Sequence, residues 1–377
     1  MPSVESAPKK TGLGKSLLIV VGMTVFFFIL LEGVSSAFLL VDDLARYSRR
    51  PLTERVHSRY DPLLGWVNLP GLDLRDVYGP GSRFRTNSRG FRNDRDFTVE
   101  VPSGKIRVVC LGDSFTMGYG VSNDEAWCQV LESLDGRVES VNMGQGGYGL
   151  DQAYLWYLRD GIRIRHDILL FSFITEDFLR VGRDNFLGYS KPVLKVQEGR
   201  LVPTHVPVPR RSYYFPWVRE NAAIFIRLRS LELFRRLFDP AQEGQAHPPG
   251  PDIGKILETA SMIFGDLQRS TRETGNVLVL VYLPVSQDYQ ARSSDPWREF
   301  VRREAERRGI PYVDLVAEFR KLPAGEAGHV FKDHYSVEGN RFVAKTILSR
   351  LMSLPAASER FSRAGDARSK ADGSPAD

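Results

Sequence analysis

Hydrophobic residues along this chain follow two patterns that repeat in turn. Short continuous apolar runs without polar alternation are typical of strands buried on both faces, and they lie at 108–111, 168–173, 277–283 and 310–315. Apolar residues at three- and four-residue spacing predict helices at 127–134, 253–274, 296–308 and 342–351. Because strands alternate with helices, we predict an α/β fold with a parallel sheet covered on both faces.

A longer apolar stretch at 16–41 precedes this pattern. It is interrupted by Glu32 but is long enough to cross a hydrocarbon core of about 30 Å. Basic residues come before it and acidic residues directly after it: Lys9, Lys10, Lys15, then Asp42 and Asp43. This charge bias predicts a single-pass signal-anchor, with 1–15 in the cytoplasm and the rest periplasmic or extracellular. The alternative is a cleaved signal peptide, because 34–37 offers small residues for cleavage.

The remaining chain divides into three parts, and the middle one contains an insertion. A lead-in, rich in predicted strand, covers 42–104, and the α/β domain covers 105–354. An insertion at 179–251 contains a predicted hairpin (193–196 and 200–203) and an amphipathic helix at 217–238. That helix would cover Ser114 as a lid, lie against the membrane, or pack as an ordinary extra layer on the domain. The tail at 355–377 has little apolar surface, so we predict that it is disordered.

Charge and residue counts restrict the chemistry. The formal net charge is +5, and the arginine clusters are scattered, so we predict no nucleic-acid partner. Five of the six histidines are isolated and no metal-ligand spacing occurs, so we predict neither a metal nor a cofactor. The spacing of the two cysteines, Cys110 and Cys128, permits a disulfide but does not establish one.

Two loops carry candidate catalytic residues. Ser114 follows the run that ends at Gly112 and precedes a helix, so it lies at the carboxyl end of a strand, where open α/β sheets bind ligands. His334 precedes the last amphipathic segment. A histidine near neutral pH can take the proton of a serine hydroxyl and make it a nucleophile. The alternative is that Asp113 and Ser114 only cap the helix.

Three short motifs in this order resemble those of the GDSL/SGNH hydrolases: 112–115 (Gly-Asp-Ser-Phe), 142–149 (Asn-Met-Gly-Gln-Gly-Gly-Tyr-Gly) and Asp333-His334 followed by Gly339. The resemblance covers roughly 106–354, and segments 60–66 and 86–92 resemble the lead-in of membrane-tethered bacterial members. It implies a three-layer α/β/α sandwich of the flavodoxin-like SGNH type, with Ser114 as nucleophile, His334 and Asp333 as its catalytic partners, and the backbone N–H groups of Ser114 and Gly147 as oxyanion donors.

Two departures from the family pattern affect the site. Glu176 stands where the third motif of the family carries an asparagine, and an ionised carboxylate cannot donate a hydrogen bond. Either Glu176 is protonated, or another group donates, or the site is slower or altered. Family members usually carry an aspartate two or three residues before the histidine. Here position 331 is Phe, and Asp333 is directly adjacent to His334. Since neighbouring side chains rarely face each other, a backbone carbonyl would then orient the ring and leave a Ser–His dyad.

The function expected from these residues is hydrolysis or transfer of a small acyl group through an acyl-serine intermediate. As the resemblance implies, the substrate would be an acyl ester, such as an O-acetyl group on an extracytoplasmic glycan. The alternative is a non-catalytic glycan-binding or scaffold protein on the same fold, which Glu176 favours and which the presence of Ser114, Gly147 and His334 argues against.

Overall fold

A five-stranded parallel sheet forms the centre of the protein. The computed structural model describes residues 13–47, 57–186, 189–209, 228–238 and 252–372. The strands of this sheet are β5 (Ile106–Gly112), β6 (Val138–Gly144), β7 (Ile168–Phe173), β12 (Val277–Tyr282) and β13 (Tyr312–Asp314). They lie side by side in the order β13-β12-β7-β5-β6, and all neighbouring pairs are parallel.

Helices cover both faces of this sheet. One face packs against α4 (Leu150–Arg159), α7 (Ile253–Glu273) and α8 (Asp295–Arg308). The other packs against α3 (Trp127–Leu134), α9 (Leu315–Phe319) and α11 (Val337–Ser353). Two separate hydrophobic cores result, and the predicted α/β/α sandwich is confirmed.

The central strand β5 shows why its sequence lacks polar alternation. Val109 and Leu111 enter one core, whereas Val108 and Cys110 enter the other. All seven residues of β5 are buried, because successive side chains of a strand point to opposite faces and both faces are covered. Cys110 forms a disulfide with Cys128 of α3, with their Cα atoms 6.2 Å apart, so the pairing that the spacing left open does occur.

Short helices occupy the ends of the strands. They are α2 (Ser114–Met117), α5 (Thr175–Val181) and α10 (Ala324–His329). Within the described part of the chain, four small antiparallel pairs lie outside the main sheet. They comprise β1 (Ser58–Asp61) with β2 (Gly65–Asn68), β3 (Asp73–Arg75) with β4 (Arg83–Arg85), β8 (Asn185–Phe186) with β9 (Tyr189–Ser190), and β10 (Val193–Gln197) with β11 (Arg200–Thr204). The β10–β11 pair is the predicted hairpin.

The chain forms two compact units whose limits differ from the predicted boundaries. One comprises Met1–Leu52 and Arg211–Gly250, and the other Thr53–Arg210 and Pro251–Asp377. Most of the lead-in lies in the same compact unit as the sheet. The buried Arg107 of β5 illustrates this, because its guanidinium donates to the carbonyls of Thr98 (2.8 Å) and Glu100 (3.0 Å).

The first unit contains the helix α1 (Leu13–Tyr47) and, within the insertion, α6 (Arg229–Phe238). In α1 the 28-residue stretch Gly14–Val41 is long and apolar enough to cross a membrane, a property that a signal sequence shares. The predicted helix at 217–238 is described only from 228 onward, and 217–227 lie outside the described residues, as do 1–12 of the predicted cytoplasmic segment.

The prediction of a disordered tail is wrong for most of its length. Residues Pro355–Asp372 form α12, and 373–377 lie outside the described part of the chain. Ala357, Phe361 and Ala364 are buried in the core that contains α11. Their spacing of four and three residues places them on one helical face, so a few apolar residues suffice where a core is already present to receive them.

Candidate active site

Ser114 and His334 meet at the carboxyl end of β5. Ser114 is the first residue of α2, and its Oγ lies 2.8 Å from Nε2 of His334. The side chain of Asp113 caps this helix by accepting from the N–H of Phe115 at 2.9 Å. Asp113 therefore has the capping role that the sequence offered as an alternative, while the hydroxyl of Ser114 faces the histidine.

The nucleophile turn fits closely against the neighbouring strand β6. A Cβ atom on Gly144, the last residue of β6, would lie 2.1 Å from the backbone nitrogen of Met117. Only glycine allows α2 to approach this closely. The position of Ser114 is thus set by backbone packing as well as by its own strand.

Arg92, from the lead-in, binds carbonyl groups at the C-terminal end of α2. This fully buried guanidinium donates to the carbonyls of Met117 (2.6 Å), Gly118 and Val121 (2.5 Å), and to Oδ1 of Asn123 at 2.9 Å. Carbonyls at a helix C-terminus have no partner within the helix and carry partial negative charge, so a buried cation is well placed there. Sequence reasoning noted the segment 86–92 only as a resemblance and missed this contact, because it joins residues 25 to 29 positions apart.

Two aromatic rings hold the imidazole of His334. Its centroid lies 4.5 Å from that of Phe115 and 4.7 Å from that of Tyr119. Burial lowers the pKa of His334 to about 4; nearby Asp333 opposes this shift and Arg180 adds to it. The ring is therefore neutral at pH 7, and its Nε2 can accept a proton from Ser114.

Asp333 is not placed to orient this ring. Its side chain is exposed, and within the described ranges it makes no hydrogen bond to His334. The Nδ1 atom of His334 is buried and has no hydrogen-bond partner among the described residues, so none of their backbone carbonyls orients the ring either. The predicted catalytic contact of Asp333 is thus absent, because adjacent side chains diverge, and Asp333 acts on His334 only through its charge.

The loop after β6 carries Gly147. The N–H of Gln145 donates to the carbonyl of Gly112 (3.1 Å), which fixes this loop to the end of β5. Gly147 has a φ of +78°, and a Cβ atom there would lie 2.4 Å from the ring of Phe186. Both the backbone conformation and the close ring require glycine at this position. Phe186 belongs to the insertion, and its proximity was not foreseen.

Glu176 lies in the first turn of α5, directly after β7, and is exposed. Among the described residues we find no hydrogen bond or ion pair to its carboxylate. The neighbouring Asp177 is buried; it accepts from the N–H of Ile174 (3.1 Å) and pairs with Arg180 (2.7 Å). Nothing in these contacts supplies the side-chain donor that the third family motif would provide.

A group of charges lies beside the nucleophile. Nη1 of Arg180 is 3.7 Å from Oδ2 of Asp113, and Asp113 and Asp177 are both buried. Burial raises the pKa of Asp113 to about 6, against the attraction of Arg180. Burial, followed by repulsion from Asp113, also raises the pKa of Asp177. The two carboxyl groups share one arginine, so a proton is retained in this cluster more readily than on exposed carboxylates.

A buried ion pair anchors the insertion next to this cluster. Nζ of Lys191 contacts Oδ2 of Asp151, and both side chains are fully buried. The ammonium also donates to the carbonyls of Arg180 (3.0 Å) and Arg183 (3.2 Å). These contacts satisfy the donors of the buried ammonium. They also tie the end of α5 to the start of α4. Sequence reasoning missed it, since neither residue belongs to a motif.

Across the described ranges, no group of three or more His, Cys, Asp or Glu side chains is arranged to hold a metal ion.

No family model matches this chain, and neither does any curated protein. The chain is similar to solved structures that cover about two thirds of it. One is a G-D-S-L family lipolytic protein from Desulfitobacterium hafniense, with 14% identity over 65% of this chain and 99% of that one and a TM-score of 0.39. Another is the acetyl xylan esterase AlAXEase, with 14% identity over 65% and 98% and a TM-score of 0.40.

A third is the acetylxylan esterase Axe2 from Geobacillus stearothermophilus, with 15% identity over 66% and 95% of the two chains and a TM-score of 0.39. At such identities and TM-scores, these likenesses carry no weight for activity or substrate. The fold follows from the chain's own strand order and its two covered sheet faces.

Proposed function

We propose that this protein is a serine-type ester hydrolase or acyl transferase in which Ser114 is the nucleophile and His334 the general base. The observation that carries the proposal is the 2.8 Å contact between Ser114 Oγ and His334 Nε2 at the carboxyl end of the central strand. A nucleophile and base within hydrogen-bond reach at a strand end are what acyl transfer requires.

In the first half of the proposed reaction, Ser114 Oγ attacks the ester carbonyl carbon while its proton passes to Nε2 of His334. The tetrahedral intermediate then collapses, the bond to the leaving alkoxide breaks, and Nε2 returns the proton to that oxygen. In the second half, water or an acceptor hydroxyl attacks the acyl-Ser114 carbonyl and gives its proton to Nε2. Collapse releases the acid or the new ester, and the proton returns to Ser114 Oγ.

His334 performs this role without a hydrogen-bonded acid. Phe115 and Tyr119 restrict the ring by packing, and burial keeps it neutral before the reaction. The imidazolium formed during attack would be stabilised only through space, mainly by Asp333. We therefore expect a slower enzyme than one with a complete triad, since the acid of a triad both orients the ring and stabilises its charged form.

The proposed oxyanion donors are the backbone N–H groups of Ser114 and Gly147. Ser114 begins α2, where N–H groups have no intrahelical acceptor. Gly147 lies in the loop that Gln145 ties to the end of β5. Glu176 adds negative charge nearby and no donor, so two donors would carry the stabilisation of the oxyanion.

In its finer form, the proposal assigns a small acyl group, such as acetyl, on an extracytoplasmic carbohydrate, as the family resemblance implies. Two observations support a location outside the cytoplasm. The stretch Gly14–Val41 is suited to a membrane anchor, and the lysines before it favour a cytoplasmic amino terminus. The Cys110–Cys128 disulfide is typical of an oxidising compartment.

The decisive experiment is labelling of the purified protein with a fluorophosphonate, followed by peptide mass spectrometry. We expect the label on Ser114 and no label in Ser114→Ala. Turnover of a short-chain aryl ester should fall on the order of 10⁴-fold in both Ser114→Ala and His334→Ala. Ser362→Ala, at an exposed position on α12, is the matched control and should retain full activity.

A non-catalytic glycan-binding protein is the second candidate. Glu176 in place of a donor and the unpartnered Nδ1 of His334 favour it. Absence of fluorophosphonate label at Ser114 in a folded protein, together with binding of acylated glycans, would select this candidate over the enzyme.

A further inference from the structure

Glu32 interrupts the apolar stretch of α1 and has a specific partner in the same compact unit. Its Oε2 accepts from the N–H of Arg229 at 2.6 Å, and its Oε1 accepts from the N–H of Ser230 at 3.1 Å. The hydroxyl of Ser230 also donates to Oε1. Arg229 is the first residue of α6, so this carboxylate caps the amino terminus of the insertion helix, where free N–H groups and the helix dipole favour negative charge.

The position of Glu32 along α1 gives the depth of this contact. At 1.5 Å per residue, the 28 residues of Gly14–Val41 span about 42 Å, roughly 12 Å more than the hydrocarbon core of a bilayer. Measured from Gly14, Glu32 lies about 27 Å along the axis, close to the outer edge of that core. The remaining residues of the stretch therefore reach into the headgroup layer.

Burial along α1 changes at the same point. From Leu17 to Leu31 the large apolar side chains are exposed. From Glu32 onward one face is covered, with Ser35 and Leu39 buried, while Val34 and Phe38 stay more than half exposed. The helix α6 packs against α1 in this unit. The part of α1 that meets α6 is thus the end of the span rather than its middle.

The helix α6 itself has apolar surface that α1 leaves exposed. Leu231 and Leu237 are 47% and 57% exposed, whereas Leu233 and Ser230 are half-buried. An exposed apolar strip beside a helix that is suited to cross a membrane is well placed to contact lipid.

We propose that α6 is a membrane-surface helix, held at the outer bilayer interface by the Glu32 cap and inserting Leu231 and Leu237 among the lipid acyl chains. The insertion would then contact the membrane at a second point, in addition to α1. This inference rests on the proposed membrane anchoring of α1 and identifies the bilayer as the partner of the apolar strip of α6.

Single cysteines carrying an NBD fluorophore test this in full-length protein reconstituted into phosphatidylcholine–phosphatidylglycerol vesicles with brominated acyl chains. The native cysteines are both buried and paired, so non-reducing labelling is confined to the new thiol. We expect bromine quenching at Val25→Cys in α1 and at Leu237→Cys in α6, and none at Ser362→Cys, which is exposed on α12.

Quenching at 25 without quenching at 237 would overturn the role of α6 and leave the anchor intact. Absence of quenching at 25 would show that α1 does not cross the bilayer. Both the proposed anchor and the role of α6 would then be wrong. Crosslinking between copies through Leu237→Cys, without quenching, would assign the strip to a second copy of the chain and overturn the proposal.

The cap is tested in the Leu237→Cys background. Glu32→Gln keeps an oxygen acceptor for the N–H groups of α6 and should retain the quenching. Glu32→Leu removes the acceptor and should lose it, because the start of α6 is then no longer fixed to α1. Retained quenching in Glu32→Leu would overturn the role assigned to Glu32.

Discussion

The acid limit of activity should lie near pH 4, well below that of an ordinary histidine. The proposed reaction requires neutral His334, whose pKa burial lowers from 6.5 to about 4. At pH 5 a group with a pKa of 4 is about 90% neutral, whereas one with a pKa of 6.5 is about 3% neutral. The structure therefore predicts roughly thirty-fold more activity at pH 5, relative to the plateau, than an exposed histidine would give.

The assay is kcat/KM for a soluble aryl ester from pH 3.5 to 8. Titration of His334 must be separated from that of the nearby carboxyl groups, since the pKa of Asp113 is raised to about 6 and that of Asp177 is also raised. The Asp113→Asn variant keeps an oxygen for the N–H of Phe115 but does not titrate, and Asp177→Asn provides the same control for Asp177. A step near pH 6 that disappears in either variant belongs to the carboxyl cluster.

Folding must be followed at each pH by circular dichroism. Burial also lowers the pKa of His57 to about 4, so these two histidines bind more protons in the unfolded chain than in the folded one between pH 6.5 and 4. Their contribution to stability should fall as the pH decreases through this window, by about 2 kcal/mol for each histidine at pH 5. The raised pKa values of Asp113 and Asp177 act in the opposite direction. An acid limit between pH 6 and 7 that persists in both asparagine variants, in folded protein, would refute the reasoning about His334.

Three further predictions concern other residues of the site. Glu176→Asn should raise kcat about 10²-fold by supplying an oxyanion donor. Glu176→Gln removes the charge but carries a longer side chain, so it should raise kcat less. Equal kcat values in the two variants would show that only the charge matters. Gly147→Ala should lower kcat at least tenfold, because φ is +78° and the added methyl would meet Phe186. The double variant Gly147→Ala/Phe186→Ala should recover only part of the lost kcat, since the backbone strain remains. A full recovery would contradict the role of the backbone. Arg92→Lys should lower the free energy of unfolding in urea by about 2 kcal/mol or more, because a single ammonium cannot satisfy all the carbonyls that the guanidinium reaches; unchanged stability would contradict it.

The sheet and its helices could be predicted because their signals are local. The apolar runs of β5 and β7 are buried on both faces, and this is visible in the sequence without knowledge of neighbours. The hairpin β10–β11 was equally visible, since a glycine turn separates two β-prone segments. The helix α12 was missed because its stability comes from the core it meets and not from its own composition.

The residues that complete the site were harder to predict. The order of Ser114 and His334 was recognisable from motifs, and the structure brings these two side chains together. Phe186 and the Lys191–Asp151 pair come from segments that carry no motif, so only the fold reveals their contacts. The resemblance at 86–92 did not indicate which groups Arg92 binds. Asp333 is the converse case: the sequence names it beside His334, but backbone geometry turns its side chain away.

Ser114 and His334 lie 220 positions apart in the sequence, and this separation affects when activity can arise. The histidine loop precedes α11, which packs on α3, where Oδ1 of Asn340 accepts from the N–H of Trp127 at 2.9 Å. A nascent chain that ends before 334, or one still threaded unfolded through a translocation channel, has a serine hydroxyl but no base beside it. With the proposed topology, the dyad would assemble only after the chain has crossed the membrane, so the esters of the cytoplasm would not meet it.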